Sequence, residues 1–129
     1  MPIIRSFREL NVYQAARVET QKIYLRTRSF PAEEKYSLTD QIRRSSRAVK
    51  AMVAEAWARR RYRAVFINKI DEALGEATET QSWPDDCLDR GYIPADEFKQ
   101  MDAAWQSIGA MLNKMIERAD DFCKNAKRI

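Results

Sequence analysis

Apolar residues recur along most of this chain at alternating steps of three and four, the spacing of a single buried helix face. The stripe is most regular near the C-terminus, where Phe98, Met101, Trp105, Ile108, Leu112, Met115, Ala119 and Phe122 follow one another without a break. Pro94 suits the opening of that helix, and Asp96 and Glu97 place negative charge in its first turn, where it opposes the helix dipole favourably. A second stripe runs through Leu38, Ile42, Ser45, Val49, Met52 and Ala56. Ser37 and Asp40 precede it like a capping box, with Asp in place of the usual Glu or Gln. A third follows a tight turn near residues 60–63 and turns Phe66, Ile70, Ala73, Ala77, Gln81 and Leu88 inward. Pro84 removes a backbone donor inside it, which predicts a kink or restart near Trp83. The first helix shows a less regular face: Leu10, Tyr13, Ala16, Thr20, Ile23 or Tyr24, and Thr27. Residues 28–36, with Phe30 and Pro31, interrupt it, and Gly91 is placed to end the third helix as a left-handed cap.

Four helices joined by connections this short must run antiparallel to their neighbours, so the expected architecture is all-α, an up-down-up-down four-helix bundle. Neither an internal repeat nor a low-complexity linker divides the chain, and residues 1–129 read as one domain. No apolar run approaches the ~20 residues of a membrane span. The start, Met1-Pro2-Ile3-Ile4-Arg5, lacks the hydrophobic stretch of a secretion signal. Cys87 and Cys123 are too few for a disulfide framework and fall at opposite ends of the bundle, which points to a reduced, cytoplasmic setting without membrane contact.

The charge is sorted along the bundle axis. A net charge of +4 conceals a basic end, with Arg5, Arg8, Arg59, Arg60, Arg61, Arg63, Lys124, Lys127 and Arg128, and an acidic end, with Glu33, Glu34, Asp40, Asp85, Asp86, Asp89, Asp96 and Glu97. Basic residues at the C-terminal ends of the second and fourth helices oppose the dipole there, but Arg5, Arg8 and Arg63 lie at helix starts and have no such role. An unneutralised basic end attracts phosphate backbones without reading sequence, and such binding weakens with salt.

Two charged stripes flank the middle of the chain. Arg43, Arg47, Lys50 and Trp57 fall with Ala54 and Arg61 on one outer face of the second helix, and Glu72, Glu76, Glu79 and Trp83 fall with Asp86 on one face of the third. The stripes can neutralise each other within one chain or between copies. A tryptophan on each outer face favours self-association, since large aromatics concentrate at interface centres. Trp57 between basic residues is also a candidate platform for an unpaired base.

Catalytic chemistry is poorly provided for. The chain has no histidine, which removes the usual general base and the commonest metal ligand. No glycine-rich phosphate loop is present, and no Ser or Cys has an evident base. Glu55 with Glu72, Glu76 and Glu79 is the one arrangement that suggests an all-carboxylate metal site; pairing of these glutamates with Arg43, Arg44 or Arg47 accounts for them more simply. The chain reads as a non-enzyme with no cofactor and no bound metal.

Several motifs are more specific than periodicity. Ser37-Leu38-Thr39-Asp40-Gln41-Ile42-Arg43-Arg44-Ser45-Ser46, Ala54-Glu55-Ala56-Trp57, Phe7-Arg8-Glu9-Leu10, Phe30-Pro31, the run from Gly75-Glu76 to Gln81, and Gly91-Tyr92-Ile93 carry the pattern. With them the chain resembles the four-helix-bundle family named for proteins encoded in intervening sequences of bacterial large-subunit ribosomal RNA genes. The resemblance implies a cytosolic bundle assembled as a ring of five, in a family most of whose members lack an established molecular function. A related branch, the accessory variability proteins of diversity-generating retroelements, forms basic pentameric barrels that bind nucleic acid and a reverse transcriptase. The family's Gln-Ile-Arg-Arg element falls on Gln41, Ile42, Arg43 and Arg44, and its third-helix glutamates on Glu76 and Glu79, which implies an Arg–Glu network between those helices. Two departures stand out. Met52-Val53-Ala54-Glu55-Ala56 replaces the family's Asn-Ile-Ala-Glu-Gly, and Pro84 interrupts a helix expected to be continuous. The expectation is therefore a non-catalytic homo-oligomer whose basic end contacts RNA or DNA, alongside a protein partner. The alternative is a structural or adaptor protein whose stripes serve assembly alone.

Overall fold

The computed structural model describes residues 3–124, so Lys127 and Arg128 lie outside the described residues. A 3₁₀ turn at Phe7–Glu9, where the Ser6 side chain accepts from the Arg8 amide, leads into helix α1 (Asn11–Thr27). A second 3₁₀ turn, Ala32–Glu34, precedes α2 (Leu38–Ala58), which is followed by α3 (Arg63–Asp89), α4 (Ala95–Glu117) and a short α5 (Ala119–Cys123). Side-chain pairs set the direction of each helix. Arg43 Nε donates to Thr27 Oγ1 at 2.8 Å and Thr20 Oγ1 to the Ser46 carbonyl at 3.2 Å, so numbers rise along α1 as they fall along α2. Arg44–Glu79 and Lys69–Glu55 do the same for α2 and α3, and Gln81–Asp102 and Arg63–Asp120 for α3 against α4 and α5. Arg26–Glu97 joins the end of α1 to the start of α4. The four long helices are antiparallel in chain order.

Burial follows the helical stripes. Ala16, Ile42, Val49, Ala56, Phe66, Ile70, Trp105, Ile108 and Leu112 meet in one cluster drawn from all four long helices. Leu38, Cys87 and Ile93 form a smaller cluster at the other end, and Trp83 packs against both. Seam hydroxyls are satisfied inside: Thr80 and Ser45, both fully buried, share a hydrogen bond of 2.8 Å across α2 and α3. Cys87 is buried in the smaller cluster and Cys123 lies on α5, both free thiols, and burial pushes the Cys87 thiol up to about 12. No helix among the described residues is long and apolar enough to cross a membrane.

Several local expectations are corrected. In α2 the buried position is Val53 and Met52 is half-buried; in α1 Ile23 turns inward and Tyr24 outward. In α3 the inner face continues through Thr80, Pro84 and Cys87, leaving Gln81 and Leu88 half-buried. Pro84 therefore lies on the buried face, and α3 passes through it without a restart. Its ring contributes apolar surface near the helix end, an offset for the missing backbone donor. Ser37 holds the N-cap position, its carbonyl accepting from the Gln41 amide at 2.9 Å, but its side chain does not cap the helix: the hydroxyl donates instead to Glu34 Oε1 at 2.7 Å. Gly91 does adopt a left-handed φ of 76°, with its amide bonded to the Leu88 carbonyl at 3.0 Å and the Tyr92 amide to that of Cys87 at 2.8 Å, the paired bonds of a Schellman cap.

The last helix is interrupted where continuity was expected. Arg118 leaves helical geometry at φ −102° and ψ 25°, and α5 turns so that Phe122 stacks on Phe66 at 5.7 Å. Ile42→Ala, at a site 0% exposed, is expected to cost about 2–5 kcal/mol in urea unfolding. Tyr36→Ala, at a site 84% exposed, should cost less than about 0.5 kcal/mol, and equal losses would contradict this assignment of the core.

Candidate nucleic-acid interface

Antiparallel order brings the start of α1, the end of α2, the start of α3 and the end of α4 with α5 to one end of the bundle. Arg5, Arg8, Arg59, Arg63 and Lys124 are exposed there, and Arg60 and Arg61 are half-buried. The two half-buried arginines serve the C-terminus of α2: Arg60 Nη1 donates to the Trp57 carbonyl at 2.8 Å and Arg61 Nη1 to that of Ala58 at 3.2 Å. These donors meet the negative end of the helix dipole. The Arg61 Nε is buried without an acceptor among the described residues. Arg63 pairs with Asp120 at 2.5 Å, so this end holds more acid than expected, Glu9 and Asp121 included. Arg5, Arg8, Arg59 and Lys124 make no ion pair among the described residues. The first turn of α3 has neither an acidic residue nor a side-chain cap, so its positive dipole end adds to the same potential.

Two aromatics lie beside the arginines of the turn between α2 and α3. Trp57, expected on an outer face, is half-buried against the core with the Arg60 guanidinium 3.9 Å from its ring centroid. Tyr62 was not singled out by periodicity because it belongs to no helix face. It occupies the turn between α2 and α3, remains 44% exposed, and carries the Arg61 guanidinium 4.9 Å from its ring centroid. An aromatic bracketed by Arg61 and Arg63 in a tight turn was the available signal.

The lateral stripes are distributed differently from expectation. Arg43 turns toward α1, with its guanidinium 4.8 Å from the Tyr24 ring centroid, and Lys50 lies 6.0 Å from that of Tyr13. Only Arg47 of that stripe is exposed with no ion pair among the described residues. The Arg–Glu network between α2 and α3 runs through Arg44, which reaches Glu79 at 3.0 Å and Glu76 at 3.9 Å, while Lys69 bridges Glu55 and Glu72, each at 3.1 Å. Those two carboxylates hold the Lys69 ammonium above its ordinary pKa. Trp83 is half-buried and donates from Nε1 to Glu79 at 3.3 Å. The two tryptophans are drawn inward because α2 and α3 each bury a broader face than a narrow seam requires. The four glutamates thus divide into two ion-pair groups, and the described residues hold no cluster of three or more His, Cys, Asp or Glu suited to a metal ion.

At the opposite end two of the acids, Glu34 and Glu97, are engaged. Glu34 accepts from Ser37 Oγ at 2.7 Å and Tyr92 Oη at 2.8 Å, with Arg90 at 3.8 Å. These bonds hold its carboxyl below the ordinary value, Ser37 contributing most, and the same carboxylate raises the Tyr92 phenol. Arg26 clamps Glu97 at 2.8 Å and donates to the Tyr92 carbonyl at 2.6 Å.

A family model described as that of the 23S rRNA-intervening sequence protein matches residues 8–114. Among solved structures, the chain is similar to a protein of unknown function from the S23 ribosomal protein family of Bacteroides thetaiotaomicron, with 26% identity and a TM-score of 0.73 over 82% of this chain and 95% of that one. No curated protein matches the chain.

The Glu34 contacts carry a pH signature. A carboxyl depressed by folding contributes stability above its unfolded value, near 4.5, and that contribution is lost as pH falls through the folded value. Glu34→Gln should therefore lower the urea midpoint at pH 7, with the gap to the unaltered protein narrowing by pH 3. A gap that stays constant with pH would sink this assignment.

Proposed function

Because the chain belongs to the family of 23S rRNA-intervening sequence proteins, we propose that it is a non-catalytic, self-assembling helical bundle whose basic end binds RNA or DNA. The observation that carries this reading is the gathering of Arg5, Arg8, Arg59 and Lys124, without ion-pair partners among the described residues, around a helix start that lacks an acidic cap. Arg60, Arg61 and Arg63 raise the same potential while also serving contacts within the chain. Lys127 and Arg128 follow Lys124 in sequence and belong to the proposed surface by their charge.

Assembly deepens the effect. In the ring of five that the family resemblance implies, parallel protomers present their basic ends on one face. Phosphate binding by such a face is sequence-independent, and each phosphate neutralised on a single strand contributes about 0.7 to the log–log salt slope. The proposed lateral contacts use Arg47 with Arg43, Lys50 and Trp57 on α2, and Glu72, Glu76, Glu79 and Trp83 on α3. A protein partner at the same face belongs to the proposal as well. Nothing in this reading requires a cofactor, and a reduced cytoplasmic setting suits the two free thiols.

The second reading, an adaptor without a nucleic-acid role, is favoured by one observation: exposed Arg47 has no ion-pair partner within the described chain and is free to meet acid on a neighbouring copy. Replacing Arg59, Arg60, Arg61 and Arg63 together with Gln separates the two. We expect at least a tenfold loss of affinity for labelled RNA near 100 mM salt, a flatter salt slope and an unchanged helical circular-dichroism spectrum. Unchanged affinity and slope in a folded variant would leave the adaptor reading in place. That reading in turn requires that Arg47→Glu with Lys50→Glu disperse the oligomer in sedimentation.

A further inference from the structure

Resting on the reading of the basic end as a nucleic-acid surface, we propose that the turn between α2 and α3 is built for an unpaired nucleotide, with Tyr62 as the stacking platform. Three observations meet at this residue. Its ring is exposed at 44% although it sits in a turn of only four residues, 59–62, between two long helices. The Arg61 guanidinium lies 4.9 Å from the ring centroid and takes one face, so the opposite face is the one a base can occupy. The flanking Arg59 is exposed with no ion pair among the described residues, and Arg63 on the other side is exposed and paired with Asp120, so Arg59 is the nearer cation left for a strand's phosphate.

Other aromatics lack this combination. Trp57 is half-buried against the core and covered by Arg60 at 3.9 Å. Tyr36 is more exposed, at 84%, but lies at the opposite end among Glu33, Glu34 and Asp40, where phosphate is repelled. Tyr24 lies on the flank of α1 against Arg43. Tyr62 is the exposed tyrosine at the basic end, with an arginine directly on either side of it in sequence.

The chemistry selects strandedness. Paired bases are stacked on one another and present only edges and backbone, so a duplex gives the arginines their phosphates and gives the ring nothing. An unpaired base offers a π-face, and every base has one, so stacking adds affinity without sequence preference. The cation on the far side of the ring adds to that stack through its own attraction to the π-system.

Tyr62→Leu and Tyr62→Phe test this in the full-length protein, using anisotropy titrations with a labelled single-stranded RNA, a single-stranded DNA and a duplex of the same sequence at three salt concentrations. For Tyr62→Leu, single-strand affinity should fall about tenfold, with the salt slope and duplex affinity unchanged; Tyr62→Phe, which keeps the ring, should bind like the unaltered protein. Circular dichroism checks that both variants fold. Equal losses on single strand and duplex, or no loss on either, would overturn the stacking inference while the basic-end reading stands. Failure of the unaltered protein to bind any of the three probes at low salt would overturn both.

Discussion

The chain reverses direction within residues 59–62, and this leaves α3 no course but back along α2. The two helices then meet along their length, from Leu38 and Cys87 at one end to Ala56 and Phe66 at the other, and join the buried hydroxyls of Ser45 and Thr80 between them. The remaining elements dock on this pair: α1 through Thr20 and Arg43, α4 through Gln81 and Asp102. The same turn decides where charge collects, because it holds Arg59, Arg60 and Arg61 and abuts Arg63.

An antiparallel bundle places two helix starts and two helix ends at each pole, so the backbone dipoles largely offset one another. The potential at the basic end is therefore set mainly by side chains, with the uncapped start of α3 adding to it. It is partly consumed within the chain, since Arg60 and Arg61 bond the last carbonyls of α2 and Arg63 meets Asp120. What remains for a partner is carried by residues with no such task. At the acidic end Glu34 and Glu97 are taken up by Ser37, Tyr92 and Arg26, while Glu33, Asp40, Asp85, Asp86, Asp89 and Asp96 make no ion pair among the described residues. Each end therefore keeps charge of its own sign to spare.

Much of this was legible in the sequence, and for a physical reason. The helix count, the antiparallel order and the stripe of α4 follow from apolar spacing and short connections, which hydrophobic burial alone enforces. Errors appear where burial does not discriminate. Past Ala77 the inner face of α3 steps by three to Thr80 and on to Pro84 and Cys87, whereas a step of four leads to Gln81, and apolar spacing alone does not choose between the two. Pro84 suggested a break because its missing donor is visible in sequence, whereas the space its ring fills is not. The interruption at Arg118 has no glycine or proline to mark it and depends on Phe122 finding Phe66. Of the site, the cations and the pairing of Arg44 with Glu76 and Glu79 are readable from the sequence, but Lys69 between Glu55 and Glu72 and the Glu34–Tyr92 bond depend on neighbours contributed by other elements.

Hydrogen–deuterium exchange with and without a saturating single-stranded RNA tests the claim that the basic end is the working surface most directly. Slowed exchange should be confined to the 3₁₀ turn at Phe7–Glu9, the turn at residues 59–62 with the first turn of α3, and α5. Protection that fell instead on the outer flank of α3, or at the Glu34 and Tyr92 end, would contradict it.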